Sequence, residues 1–211
     1  MAADPAPPLA RLAARLGARL RRGRALHPRG LLLRGTLTVE AARLGEPGDH
    51  EVPVRLSKGA SLPGRLPDVL GLAVRLPNGV DLLLSTALGP LPWPRPGFTA
   101  GPYSSIAKYV YGTCRHLLVA RPEGPPVPAD PALLPRALTR GPLVFHLWAG
   151  GRYLGRLRVH TALPGQDLTF DPVLNSRPDL RPAPRWLGRL RQAAYEGSRE
   201  GRDASLARTS D

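Results

Sequence analysis

The stretch GPLVFHLWAGGRYLGRLRVHTAL, Gly141 to Leu163, alternates apolar and polar side chains on either side of a Gly150–Gly151 pair. Period-two alternation sends successive side chains to opposite faces of a strand. Two glycines at the centre supply the positive φ that a tight hairpin turn demands. The stretch therefore predicts an antiparallel hairpin. In its second arm Leu157, Val159 and Thr161 are expected on one face, and Arg156, Arg158 and His160 on the other.

Runs of the same kind fill the middle of the chain. LLLRGTLTVEAARL (31–44), HEVPVRLS (50–57), GLAVRLP (71–77) and GVDLLLST (79–86) are short, apolar or alternating, and punctuated by GEPGD and PNG. SSIAKYVYGTCRHLLVA (104–120) is ambiguous and reads equally as a helix leading into a strand. Helical patterns stand at the two ends. Leu9, Leu12, Leu16 and Leu20 recur at three- and four-residue spacing up to about Arg22, where Gly23 stops the pattern. After the irregular DPVLNSRPDLRPAP (171–184), a second helix is expected with Pro184 near its first turn. The fold class is α+β: an antiparallel sheet or barrel flanked by an N-terminal and a C-terminal helix. Residues 1–8 are expected to be a flexible tail, 9–203 a single domain, and 204–211 a flexible C-terminal tail.

Composition narrows the function classes. The chain has 211 residues, is 42% hydrophobic and carries a net charge of +14. Such a charge raises the thought of nucleic acid. Yet only Lys58 and Lys108 are lysines, and the arginines are spread along the chain apart from RLRRGR at 19–24. A nucleic-acid partner is therefore not expected. Cys114 is the single cysteine, which excludes an intrachain disulfide and a thiolate metal cluster. No run approaches the roughly 20 apolar residues of a membrane span, and a reducing cytoplasm fits best. Oligomeric state stays open.

Candidate chemistry begins with five histidines: His27, His50, His116, His146 and His160. None stands at zinc-hydrolase spacing, and no nucleophile elbow, Walker loop or dinucleotide fingerprint is present. For each histidine taken alone the default is a surface or satisfied core residue. The C-terminal helix carries the second unusual pattern. Arg191, Tyr195, Ser198 and Arg202 stand at i, i+4, i+7 and i+11, which at about 3.6 residues per turn is one stripe. A guanidinium one turn from a phenol stabilises the phenolate, and a phenolate oxygen suits ferric iron. Taken alone, that stripe reads first as an exposed basic face.

Together the motifs resemble the haem catalase family. RALHPRG (24–30) is similar to the segment that carries the family's distal histidine. VRLS (54–57) is similar to the strand that places an arginine and a serine beside haem. DVLGLAVRL (68–76) resembles the family's Asp-x-x-Gly-x-Ala strand, and RQAAYEGSREGR (191–202) its proximal helix. The resemblance covers about residues 20–90 and 184–202. It implies a catalase-like barrel that binds haem b with ferric iron and acts on hydrogen peroxide or organic peroxides.

Residue by residue, it implies Tyr195 as the iron ligand, tyrosinate being the catalase type of haem ligation, with Arg191 holding it ionised. Arg24, Arg55 and Arg202 would pair with the propionates. His27 would be the distal base that shuttles the peroxide proton, oriented by the Ser57 hydroxyl. The family's distal asparagine is missing. DLLLSTALG puts Ser85 or Thr86 in its place, and Thr86 is the expected peroxide-binding hydroxyl. A shorter donor in a shorter chain favours peroxidase chemistry over the two-peroxide reaction. Phe98 is expected to be a core residue rather than an aromatic wall of the pocket. A non-catalytic haem protein, for storage or sensing, and a haem-free hydrolase or anion binder are the competing classes.

Overall fold

The computed structural model describes residues 29–183 apart from Asp167. The predicted terminal helices and tails lie outside the described residues, as do Arg24, His27, Arg191, Tyr195 and Arg202. The Gly141–Leu163 hairpin forms as expected. Two strands, Leu143–Ala149 and Arg152–Ala162, are joined by Gly150 and Gly151 at φ of 55° and 82°. Leu143, Phe145, Leu147, Leu157 and Val159 are buried, while Arg156, Arg158 and His160 are exposed. Thr161 departs from the alternation and is exposed, next to a bulge where the pairing shifts.

In chain order the strands are β1 (Arg29–Val39), β2 (Gly48–Lys58), β3 (Leu70–Arg75), β4 (Asp81–Leu88), β5 (Leu91–Pro92) and β6 (Tyr103–Ser104). They continue with β7 (Tyr109–Tyr111), β8 (Cys114–His116), β9 (Leu118–Glu123), β10 (Leu143–Ala149), β11 (Arg152–Ala162) and β12 (Leu180–Pro182). A 3-10 turn, Pro131–Leu133, leads into the short helix α1 (Leu134–Leu138). Eight strands pair antiparallel in the ring β1-β2-β3-β4-β6-β9-β10-β11, and β11 returns to β1. Closure leaves no open edge in the ring.

The interior is filled by one face of each strand. Leu33, Val54, Leu72, Leu84, Tyr103 and Phe145 are among its buried side chains. Tyr103 meets Phe145 edge-on at 5.7 Å and donates its hydroxyl to the Phe98 carbonyl at 2.9 Å. Burial pushes the Tyr103 phenol far above its ordinary pKa. Phe98 itself is a fully buried core residue. Gly155 has φ 152°, and a Cβ there would collide with the Thr38 carbonyl, so the β1–β11 contact requires glycine.

Residues 104–120 contain no helix. Tyr109–Tyr111 and Cys114–His116 make a small hairpin that joins β12 in a separate three-stranded sheet. Gly112, at φ 65°, turns the chain between them. The tyrosine and valine spacing in YVY fits a strand as well as a helix, and the glycine decides between the two.

One polar cluster ties the connector to the barrel. The Asp81 carboxylate is fully buried and accepts from Arg75 Nε and Nη2 at 2.8 and 2.9 Å. It also accepts from the Asp171 backbone N–H at 2.7 Å and from Asn175 Nδ2 at 2.8 Å. The charge is thereby paired and its oxygens saturated, the condition under which a buried carboxylate is tolerated. Residues 169–175 are pinned to the β3–β4 turn as a result.

Candidate functional site

Sheet register decides which motif residues meet. Across β1, β2, β3, β4 and β6, Gly30 lies opposite Ser57, Ser57 opposite Gly71, Gly71 opposite Ser85 and Ser85 opposite Ser104. The neighbouring row is Leu32, Arg55, Ala73 and Leu83. Inward positions on the same strands are Leu33, Val54, Leu56, Leu72, Val74, Leu82 and Leu84, so both rows belong to the outer face. The result is a face on which Gly30, Ser57, Gly71, Ala73, Ser85 and Ser104 are small and Leu32, Leu83 and Arg55 are large.

That arginine is closely placed. A Cβ on Gly30 would stand 2.7 Å from Ser57 Cβ and 2.9 Å from Arg55 Cζ and Nη2. The guanidinium therefore lies against the Gly30 backbone, beside the serine. A glycine inside a strand weakens it, and its use here marks a close approach. A planar ligand with an anionic edge would find a flat floor and a cation at the border. Arg55, with the Ser57 hydroxyl beside it, is the group on this face that could hold a propionate of haem.

Of the two hydroxyls considered at the asparagine position, the fold separates one from this face. Thr86 points into the barrel and is fully buried. Its hydroxyl accepts from the Leu70 N–H at 2.9 Å and donates to the Trp93 carbonyl at 2.8 Å. Ser85 is the residue on the outer face, between Gly71 and Ser104. Period-two parity, counted from Leu82 and Leu84, is the signal that separates them, but the all-leucine run hid which face was inward.

Asp68, the acid of the Asp-x-x-Gly-x-Ala motif, does not join the face. It is buried and accepts from the Ala60 and Leu62 N–H groups at 2.9 and 3.0 Å. Beside the face, an open cleft of about 330 Å³ runs from Leu32 and Arg34 to Leu163 and Leu168.

Other polar clusters occupy the remaining outer surface. His146 Nε2 is 2.6 Å from Glu123 Oε2, and its Nδ1 is 3.2 Å from the Tyr153 hydroxyl. His160 Nε2 lies 3.2 Å from Thr36 Oγ1, whose hydroxyl donates to Glu51 at 2.7 Å. The Thr36 bond is the main cause holding the Glu51 carboxyl below its usual pKa. His50 lies 2.8 Å from the Glu46 carbonyl, and His116 sits against Gly150. Among the described residues no group of three His, Cys, Asp or Glu side chains is arranged to hold a metal ion. Sequence reasoning did not anticipate these pairings, because cross-strand partners depend on register.

Comparison with known proteins bears on the fold. No family model and no curated protein matches the chain. A solved structure of a bacterial catalase superposes on it with a TM-score of 0.53 at 11% identity. The fold is catalase-like. The match covers 92% of this chain but only 61% of that catalase, so the chain spans less than two thirds of it. At such identity the likeness carries architecture alone. Within this catalase-like barrel, four segments singled out by motif, at Gly30, Arg55–Ser57, Gly71–Ala73 and Ser85, are successive neighbours on one outer face.

Proposed function

We propose that the outer face of β1–β4 is a haem-binding surface and that the protein is a small haem-dependent peroxidase. The observation that carries this reading is the convergence of Arg55, Ser57, Gly71, Ala73 and Ser85 in two adjacent rows. Bound haem supplies a ferric centre at which a peroxide O–O bond is cleaved. The chain supplies the rest. By the family resemblance, Tyr195 would hold the iron as phenolate, and Arg191 would hydrogen-bond that oxygen and keep it ionised. Arg24, Arg55 and Arg202 would neutralise the propionates with their forked donors. His27 would take the peroxide proton and return it to the departing oxygen, with the Ser57 hydroxyl fixing the imidazole.

Ser85 takes the place of the family's asparagine in this reading, and Thr86 serves the barrel interior. A serine hydroxyl has less reach than an amide and donates one hydrogen bond where an amide offers two. Peroxide is therefore held less firmly, which supports reduction by an organic donor over turnover of a second peroxide.

The test is expression with haem supplied, followed by absorption spectra of wild type and Tyr195→Phe. The expected result is a tyrosinate-ligated ferric spectrum that Tyr195→Phe abolishes. A wild type that takes up no haem ends the reading. An unchanged ligation spectrum in Tyr195→Phe ends the ligand assignment. Peroxide decay is expected to slow by about 10²-fold or more in His27→Ala, and equal rates would refute His27 as the base.

A further inference from the structure

Six large hydrophobic side chains are exposed among the described residues, and five of them lie at one end of the barrel. Leu62 and Leu66 belong to the loop between β2 and β3, and Leu88, Leu91 and Trp93 to the β4–β5 hairpin and its exit. Their exposures run from 42% for Leu62 to 64% for Leu91. The loops are adjacent. Asp68 and Arg95 exchange backbone hydrogen bonds of 3.1 and 2.8 Å, and Leu88 pairs directly with Leu91. The sixth, Leu174, sits in the connector pinned beside the β3–β4 turn, at the other end of β4.

What makes this end unusual is the treatment of its backbone. Lys58, 1% exposed, donates its Nζ to the Gly64 and Leu66 carbonyls at 2.9 and 3.0 Å. Asp68 accepts the Ala60 and Leu62 N–H groups. Thr86 and Trp93 satisfy each other through both carbonyls and donors. Pro63, Pro67, Pro90, Pro92, Pro94 and Pro96 have no N–H to satisfy. Two buried charges are thus spent on peptide groups behind leucines that face outward. In water an exposed loop needs no such care, because solvent completes its hydrogen bonds. At a hydrocarbon boundary each unsatisfied group costs free energy.

We propose that this end of the barrel docks on the surface of an anionic lipid bilayer, with Leu62, Leu66, Leu88, Leu91 and Trp93 entering the headgroup–acyl boundary. Charge supports that occupant over another apolar surface. Arg65 is exposed at the loop tip, and residues 59–67 and 88–101 contain no Asp or Glu. Tryptophan is favoured at the bilayer interface, and a basic residue near an anionic leaflet adds attraction. The patch is formed by protruding loop tips rather than a groove, which suits a deformable surface. This proposal does not rest on the haem reading.

The test is sedimentation of the full chain with vesicles of phosphatidylcholine containing phosphatidylglycerol, at moderate salt that weakens adsorption by net charge alone. A Trp148→Phe/Trp186→Phe background leaves Trp93 as the reporter. Its emission is expected to shift blue and to be quenched by brominated acyl chains. Leu91→Ser/Trp93→Ser is expected to lower partitioning about tenfold, with its fold checked by circular dichroism. Undiminished binding of that variant would overturn the proposal, since the charge of the chain would then explain adsorption. A wild type that ignores vesicles, and whose dimer the variant dissociates, would overturn it in favour of a second copy.

Discussion

The two halves of the barrel wall carry opposite outer surfaces. On β9–β11, Arg121, Glu123, His146, Trp148 and Tyr153 engage one another: Arg121 lies over the Trp148 ring at 5.8 Å, and Tyr153 stands 5.0 Å from it. Histidine and glutamate complete that layer at 2.6 Å. On β1–β4 the equivalent layer holds the small residues Gly30, Ser57, Gly71, Ala73 and Ser85, with Leu32, Arg55 and Leu83 among them. Both halves bury inward leucine and valine side chains, so core packing does not explain the contrast. A wall that faces only solvent can cover itself with long side chains. A wall built of glycine and serine gives up that cover and the strand propensity that goes with it, a choice that makes sense where something flat must come close.

The largest effect is expected at the far end of β4, where Asp81 anchors the connector. Asp81→Ala removes the partner of Arg75 and orphans the Asp171 and Asn175 donors. A loss of about 3–5 kcal/mol is expected, read as a fall in the urea midpoint with unchanged slope. A loss below about 1 kcal/mol would mean that the connector is held by other contacts.

Next comes Gly30→Val on the small-residue wall. Its side chain must displace Ser57 or the Arg55 guanidinium, an overpacking cost of about 1–3 kcal/mol. The same substitution is expected to weaken haem uptake in a titration followed by absorbance. A variant that loses stability but takes up haem normally would detach this face from the ligand.

Much of the wall was legible in the sequence because it follows parity. Alternation in Leu143–Ala149 and Arg152–Ala162, with two glycines between, fixes the hairpin and its inward set. VRLS and GLAVRL announce two strands, and the motif order places them near one another in the chain. What the sequence withheld is non-local. β6 is two residues long, Tyr103 and Ser104, yet it bridges β4 and β9 and closes the ring. Two residues carry no period. The Ser85/Thr86 choice was in principle readable, but leucines on both faces of β4 concealed it. In sequence Asp68 is a motif position and Asp81 carries no assigned role, and only tertiary contacts reveal that each organises a loop.

On the covered wall, Tyr153→Phe removes one hydrogen bond to His146 and leaves the ring stacking in place. A stability change of about 1 kcal/mol or less is expected, with haem uptake as in wild type. An equal loss of haem uptake from Tyr153→Phe and Gly30→Val would erase the distinction between the walls.

The smallest effect concerns Glu51, on the outer side of β2. The Thr36 hydroxyl, seconded by His160, favours its carboxylate form and depresses its pKa. A carboxyl depressed in the folded state adds stability above the ordinary carboxylate pKa, and that stability is lost as pH falls through the folded value. Glu51 is largely solvent-exposed, so screening keeps the gain small. Thr36→Ala is expected to return the Glu51 titration toward its usual range, observed at the side-chain carboxyl carbon by NMR. A Glu51 titration that does not move in Thr36→Ala would transfer the cause to His160 or Arg34, both of which act on the carboxylate through charge.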